Sequence, residues 1–370
     1  MHVGVGTFFQ NPGRARPDAE VWRQGLEIAA AAESLGFDSV WSAEHHFTDY
    51  HMCPNVAQFL TWVAARTQRV QLGSMVMVLP WHDPVRLAEE VSLLDHMSGG
   101  RVLLGLGRGL GRVEFEGFRV DMAESRRRFT EYATAILSAL ETGVMAYDGE
   151  LYQQPRIEIR PAPFASFRGR VYASAISPET SPILAELGVG MMIIAQKPWE
   201  TIEADIAGYR ELYREINGEE APKPLLASWV AVHESEAAAD EMLERWIMGY
   251  CDSVLQHYEF ANAGLADISG YEYYGKLAER IAKHGPEAFS RFLAELQAWG
   301  TPATVTEQLR ENIRRIDAAG VIGIFNYAGM PDEVARANLN LFAEQVLPTL
   351  QAVDTGAHVG LPAPATANPR

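Results

Sequence analysis

The stretch from Val70 to Gly109 constrains the fold more than any other part of the chain. It begins with an apolar run, Val70 to Leu79, which is typical of a parallel strand buried on both faces. Asp83 then offers an N-cap, Pro84 suits a first helical turn, and apolar residues recur at helical spacing. A second apolar strand, Arg101 to Leu106, follows a Gly-Gly pair. The stretch therefore predicts a β-α-β unit, which needs further parallel strands beside it.

Four glycines alternate with other residues at the end of this unit, at Gly105, Gly107, Gly109 and Gly111. Such a row without side chains indicates that something approaches the backbone closely. Two interpretations stay open, a bound ligand and the packing of a neighbouring strand.

Similar apolar runs alternate with helical patterns along most of the chain, without an internal repeat. They predict eight strands: Val3 to Phe9, Phe37 to Ala43, Val70 to Leu79, Arg101 to Leu106, Arg170 to Ala175, Gly190 to Ala195, Leu225 to Val232 and Val321 to Tyr327. Eight strands alternating with helices predict an α/β fold, the (β/α)8 TIM barrel. A doubly wound open sheet is the alternative. Its GxGxxG fingerprint is not met, because Leu110 and Arg112 stand where the third glycine is needed.

Residues 1–355 are predicted to form one barrel domain with insertions after strands 4 and 7. The first insertion, Gly143 to Arg168, is proline-rich and is expected to be irregular. The second, Phe260 to Trp299, lacks a strand pattern and is expected to be a mobile lid over the site. Residues 356–370, which end in a Pro- and Ala-rich run, are expected to be a disordered tail.

Composition excludes several classes of partner. The net charge of −17 and the pI near 5.1 argue against nucleic acid and anionic membranes, which need clustered Lys and Arg. Two cysteines, Cys53 and Cys251, cannot form a disulfide framework or a zinc site, and no metal is expected. The N-terminus lacks a signal-peptide pattern, and no window is apolar enough to span a membrane. The expected location is the cytoplasm.

The carboxyl ends of barrel strands carry the chemistry of this fold, and here they form an apolar, aromatic bowl with few charges. Glu44, His45 and His46 follow the second strand, but they lack the spacing of a helical zinc site. They could equally be a hydrogen-bonded strand end. Arg108 and Arg126 could pair with Glu114, Glu116 or Glu124 at the surface. The bowl itself suits a large flat ligand and an apolar substrate.

Several motifs together resemble the bacterial luciferase-like flavin monooxygenases, and within them the luciferase alpha chain. They are Trp41-x-x-Glu44-His45-His46, the helix that begins Pro84-Val-Arg-Leu-Ala-Glu-Glu, Leu94-Asp-His-Met-Ser-Gly-Gly-Arg, and Gly105-Leu-Gly-Arg-Gly-Leu. The similarity extends from the first strand to about Leu350. It implies a barrel that holds FMN at its carboxyl face.

The resemblance also implies roles for single residues. It makes His45 the catalytic histidine and places Glu44 near the flavin ring. It puts Arg108 and Arg126 at the FMN phosphate, together with Ser177 and Thr180. Leu110 and Ala175 are assigned to the same cofactor site. The peptide between Met75 and Val76 lies where the family has a non-prolyl cis bond beneath the flavin.

Three departures from the luciferase alpha chain limit what the resemblance implies for this chain. The Phe260 to Trp299 insertion looks more helical and differs in length, and two single residues differ. Gly107 stands in place of a cysteine in the luciferase alpha chain, and Ile176 in place of an acidic residue. Light emission and long-chain aldehyde specificity are therefore not expected to transfer, because the chains diverge on the substrate side.

The implied function is a two-component monooxygenase. A separate reductase supplies reduced FMN, and a C4a-peroxyflavin oxygenates an aldehyde, ketone or terpene-like substrate with O2. The helices Asn55 to Arg66 and Pro84 to Met97 are expected to form a homodimer contact. Two alternatives are an F420-dependent hydride-transfer oxidoreductase of the same fold and a non-catalytic flavin-binding partner subunit.

Overall fold

Eight parallel strands close into a barrel in a computed structural model that describes residues 1–174 and 180–361. The strands of this part of the chain are β1 (His2–Thr7), β2 (Ser39–Ser42), β3 (Gln71–Ser74), β4 (Met77–Val78), β5 (Val102–Gly107), β6 (Val144–Asp148), β7 (Gln153–Glu158), β8 (Val171–Ser174), β9 (Gly190–Ile194), β10 (Leu225–Val232), β11 (Ala298–Gly300) and β12 (Gly320–Ile324).

Helices separate the strands. They are α1 (Asp18–Ala31), α2 (Val56–Ala64), α3 (Pro84–Ser98), α4 (Arg112–Phe118), α5 (Ser125–Thr142), α6 (Thr180–Leu187), α7 (Trp199–Asn217), α8 (Glu236–Met242), α9 (Met248–His257), α10 (Glu272–His284), α11 (Pro286–Glu295), α12 (Pro302–Ile316), α13 (Asp332–Gln345) and α14 (Leu347–Gln351). A π-helical turn, Leu243–Ile247, joins α8 to α9.

The barrel closes between its first and last strands. β1 pairs in parallel with β2, where Gly4 lies opposite Ser39, and with β12, where His2 lies opposite Gly320. The order around the barrel is β1, β2, β3 with β4, β5, β8, β9, β10 and β12. The predicted (β/α)8 barrel is therefore confirmed, and the doubly wound sheet is wrong.

The predicted β-α-β unit from Val70 to Gly109 forms, and its helix has the predicted caps. The Asp83 side chain accepts a hydrogen bond from the Arg86 amide, Pro84 is the first residue of α3, and Gly99 ends the helix with a left-handed φ of 69°. The apolar run from Val70 to Leu79 is not one strand. It is divided into β3 and β4 by a cis peptide between Met75 and Val76, as the family resemblance implied.

The alternating glycines make room for this divided strand. A Cβ on Gly105 would lie 1.9 Å from the Ser74 carbonyl oxygen, and one on Gly107 would lie 2.2 Å from a Val76 methyl carbon. The close approach is therefore made by the neighbouring strand, which supports the packing interpretation.

We expect Gly105→Ala to destabilise the protein by about 1 to 3 kcal/mol or more, because the obstacle is backbone and cannot rotate away. Urea unfolding would measure the difference. The matched control is Gly208→Ala in α7, where nothing lies within 4 Å of the added carbon and alanine favours the helix. Equal stability of the two variants would contradict this packing argument.

Three connections differ from their predicted form. The segment from Gly143 to Arg168, expected to be irregular, contains the antiparallel hairpin of β6 and β7. The segment from Phe260 to Trp299, expected to be helical and without strands, contains α10 and α11 but also part of β11, which pairs with β10 outside the barrel. Residues 112–118, for which no element was predicted, form α4. In contrast to the largely exposed hairpin strands, α10 and α11 each bury one apolar face, at Ala278 and Ile281 and at Leu293 and Ala294.

Helices long and apolar enough to cross a membrane are absent from residues 1–174 and 180–361. Ala175, Ser177 and most of the predicted tail, residues 362–370, lie outside the described residues.

Candidate active site

A cleft opens at the carboxyl ends of the barrel strands, where the sequence predicted the site. Its apolar lining includes Met75, Val76, Leu110, Ile183 and Met192. Met75, Val76 and Leu110 are three of the predicted cofactor residues. Thr180, a fourth, lines the cleft at the start of α6.

Aromatic side chains form another wall of the cleft. Trp229 stacks on Tyr250 with ring centroids 3.8 Å apart, and Phe8 meets both rings edge to face. Tyr50 and Tyr258 continue this wall towards His45. Such a surface packs well against a flat or apolar molecule, while the phenols offer hydrogen bonds at its edge.

Arg108 and Arg126 meet at the mouth of the cleft. Nη1 of Arg108 lies 2.8 Å and Nη2 of Arg126 lies 3.3 Å from the Gly270 carbonyl oxygen, so both guanidinium groups donate to one acceptor. The Arg108 guanidinium also lies over the Tyr271 ring, 4.3 Å from its centroid. Two convergent guanidinium groups can bind a phosphate dianion.

The three acidic residues considered as surface partners of these arginines have other partners in the structure. Glu116 pairs with Arg112, and Glu124 pairs with Arg128. Glu114 points into the molecule instead and bonds to His45.

Glu44 is a buried carboxylate that holds the loop after the cis peptide. Its Oε2 accepts a hydrogen bond from the Val78 amide at 2.8 Å, and its oxygens lie 2.8 to 3.0 Å from Nε2 of His82 and His46. Burial alone would raise the pKa of Glu44, but the hydrogen bonds from His46 and His82 outweigh burial and lower it. Glu44 therefore stays ionised and fixes the backbone that lines the cleft.

His45 lies beside the same cleft, but its partner was not foreseen. Its Nδ1 is 3.0 Å from Oε1 of Glu114, whose side chain is 1% exposed, and its Nε2 is 3.3 Å from the Tyr258 hydroxyl. The His46 amide donates to the same Glu114 oxygen at 2.8 Å. A buried carboxylate on one ring nitrogen fixes the orientation of the imidazole.

A second imidazole, His257, lies on the other side of Glu114. Its Nε2 is 3.7 Å from Oε2 of Glu114, and its Nδ1 is 3.3 Å from the Thr48 hydroxyl. Burial lowers the pKa of His257. Burial alone would raise the pKa of Glu114, but the charge of His45 and the nearby imidazole of His257 hold it well below its usual range. An ionised carboxylate thus lies between two histidines.

Sequence reasoning missed Glu114 and His257 because each is separated from His45 by a long stretch of chain. Glu114 lies on α4, which was not predicted, and His257 is the last residue of α9, after the seventh barrel strand. Gly111 leaves room for the Glu114 carboxylate, because a Cβ at this position would lie 2.5 Å from Oε2 of Glu114.

Comparison with known proteins identifies the family of the chain. The sequence model of the family described as luciferase-like monooxygenase matches residues 1–318. The alkanal monooxygenase alpha chain of Photobacterium leiognathi is 29% identical over 354 residues, which cover 93% of this chain and 97% of the relative.

Two solved structures share the fold. The FMN-bound oxygenating constituent of 3,6-diketocamphane monooxygenase from Pseudomonas putida has a TM-score of 0.73 and 18% identity, covering 95% of this chain and 98% of its own. An F420-dependent secondary alcohol dehydrogenase has a TM-score of 0.68 and 16% identity, covering 94% of this chain and 98% of its own. The family match over most of the chain is decisive: the chain belongs to the luciferase-like monooxygenases.

Proposed function

We propose that this protein is an FMN-dependent monooxygenase that uses O2 to oxygenate a small apolar substrate, such as an aldehyde, a ketone or a terpene-like compound. A separate flavin reductase would supply the reduced FMN. The observation that carries the proposal is one cleft with paired guanidinium groups at its mouth, an apolar floor at Met75 and Val76, and an oriented histidine on its wall.

The residues that line the cleft fit FMN chemically. Arg108 and Arg126 would bind the phosphate, with Thr180 beside them and Ser177 and Ala175 as further candidates from the sequence. Met75, Val76 and Leu110 would pack against the ring system. Reduced FMN, when bound, would supply the electrons that activate O2.

The protein's own contribution to the chemistry would centre on His45. Glu114 fixes the orientation of its imidazole through Nδ1, which leaves Nε2, near the Tyr258 hydroxyl, to hold or release a proton at the cleft. The aromatic wall excludes water from the cleft and presents the substrate. Glu44 would act indirectly, by positioning the backbone at Val78.

A single anaerobic experiment tests this function. The protein would be mixed with photoreduced FMN and then with oxygenated buffer that contains a panel of aldehydes, ketones and terpenes. Incorporation of 18O from labelled O2 into one of the products would support the proposal. Re-oxidation of FMN with only hydrogen peroxide as product, for the whole panel, would contradict it.

The same protein preparation can distinguish the proposed function from the alternative, F420-dependent hydride transfer. The alternative is supported by the similarity in fold to the F420-dependent secondary alcohol dehydrogenase. Equilibrium titration with FMN and with F420 would show which cofactor binds. Selective F420 binding, with anaerobic reduction of F420 by an alcohol, would replace the proposed oxygenation with hydride transfer. Binding of neither cofactor would contradict both functions.

The segment from Phe260 to Trp299 is proposed to act as a lid. Gly270 bonds to both arginines, and Tyr274 lines the cleft, so this segment contacts the place where the flavin would lie. We expect its amides to exchange hydrogen faster than those of β1 and β12, and FMN to slow them. Exchange as slow as in the barrel strands, with and without FMN, would contradict the lid.

A homodimer is proposed through α2 and α3. Leu93 and Met97 of α3 are 49% and 56% exposed, which is unusual for large apolar side chains on one helix face. Analytical ultracentrifugation is expected to give twice the chain mass of 40.9 kDa at micromolar concentration. Leu93→Glu should shift the protein to the monomer, and a wild-type monomer would contradict the dimer.

A further inference from the structure

We propose that His45, Glu114 and His257 form a binding site for a divalent transition-metal ion, with Zn²⁺ as the best match. One nitrogen of each histidine and one carboxylate oxygen can be chosen so that all three atoms lie within 4.8 Å of one another. Two imidazoles and one carboxylate are a ligand set that zinc prefers, and three protein ligands leave a fourth position for water or another ligand.

Each imidazole lies near one oxygen of the Glu114 carboxylate, at a distance close to that between two ligands of a tetrahedral ion. Zinc bonds to nitrogen and oxygen of about 2.0 to 2.2 Å place neighbouring ligands about 3.3 to 3.5 Å apart. Here Nδ1 of His45 is 3.0 Å from one Glu114 oxygen, and Nε2 of His257 is 3.7 Å from the other. Shifts of a few tenths of an ångström would adapt both pairs to an ion.

Two of these ligand atoms are otherwise unsatisfied. Within residues 1–174 and 180–361, neither Oε2 of Glu114 nor Nε2 of His257 has a hydrogen-bond partner, and both atoms are buried. Burial of unpaired polar atoms is costly. An ion between them would satisfy both atoms at once.

The outer nitrogens of the two histidines also fit this role. Nε2 of His45 lies 3.3 Å from the Tyr258 hydroxyl, and Nδ1 of His257 lies 3.3 Å from the Thr48 hydroxyl. Metal-binding histidines usually hydrogen-bond through the nitrogen that does not bind the metal, which fixes the ring. Both rings are therefore held with their inner nitrogens towards Glu114.

Gly111 leaves space beside the unsatisfied atoms. A Cβ at this position would lie 2.5 Å from Oε2 of Glu114 and 3.1 Å from Nε2 of His257. The φ of Gly111 is −67°, so alanine is compatible with the backbone. Gly111→Ala would therefore crowd the site without removing a ligand.

The consequence of binding would be inhibition, because the ion would occupy Nδ1 of His45 and replace the contact with Glu114 that orients this imidazole. His45 and Glu114 both line the cleft, which gives the ion a route of entry. Inhibition rests on the proposed function, but the binding site does not.

The test uses the whole protein freed of metal with EDTA and then titrated with Co²⁺, whose visible absorption reports tetrahedral coordination. We expect one ion per chain, displaced by Zn²⁺. His257→Gln and Gly111→Ala should each weaken binding by at least tenfold, and Thr48→Val by roughly tenfold. Thermal melting in EDTA confirms that each variant is folded.

Matched controls are His284→Gln, at an exposed histidine of α10, and Gly208→Ala in α7. Both should bind Co²⁺ like the wild type. Absence of tetrahedral cobalt bands in the wild type would overturn the site, and so would bands of unchanged affinity in folded His257→Gln and Gly111→Ala. If the protein binds Co²⁺ but incorporates no 18O into any product, the metal site is supported and the proposed function is contradicted.

Discussion

Replacing His45 by alanine is expected to lower product formation by about 10² to 10⁴ while leaving FMN affinity nearly unchanged. The reason is that different residues of the cleft would bind FMN and transfer the proton. Binding would reside in the guanidinium pair and the apolar floor, whereas proton transfer would reside in the imidazole that Glu114 orients. Fluorescence titration with FMN and product analysis under excess reduced FMN measure the two quantities separately.

Two further variants separate a catalytic His45 from a structural one. Glu114→Gln keeps the size of the side chain but removes its charge, so it should lower product formation less than His45→Ala does and should change its pH profile. His284→Ala, at the surface, should have no effect. Parallel loss of flavin binding and product formation in His45→Ala would mean that His45 is structural. Unchanged oxygenation would transfer the role to His46 or His82, which both bond to Glu44.

Most of the barrel could be predicted from local patterns. A strand buried on both faces must be a continuous apolar run, and Asp83, Pro84 and Gly99 mark the ends of α3 through their own backbone preferences. Ser235 likewise caps α8 by accepting a hydrogen bond from the Ala238 amide. These signals lie within a few residues of the structure that they specify.

The centre of the candidate site could be predicted only in part. His45 and Arg108 are recognisable because they follow apolar strands and lie in motifs that resemble a family. Glu114 and His257 come from two separate helices, and only barrel closure brings them to His45. Nothing within a few residues of either one distinguishes it from a surface residue. The antiparallel hairpin of β6 and β7 was missed for a related reason, since its strands are short and largely exposed.

Replacing Arg108 by alanine is expected to weaken FMN binding by roughly ten- to 150-fold and riboflavin binding far less. The lost contact would be a charge-assisted hydrogen bond to phosphate, worth about 1.5 to 3 kcal/mol. Riboflavin has no phosphate, so its affinity reports only the ring contacts. Isothermal titration with both flavins measures the difference.

Arg108→Ala is expected to have a second effect, on the lid segment, which can be measured without flavin. Arg108 also holds Gly270 and stacks on Tyr271, so its loss should loosen the lid in the absence of any flavin. Hydrogen exchange of residues 260–284 without ligand would detect this. Arg86→Ala on α3 is the matched control, because the Arg86 side chain is 81% exposed and pairs with Glu90 on the same helix. Equal losses of FMN and riboflavin affinity in Arg108→Ala would assign Arg108 to the lid contact alone and would remove it from the phosphate site.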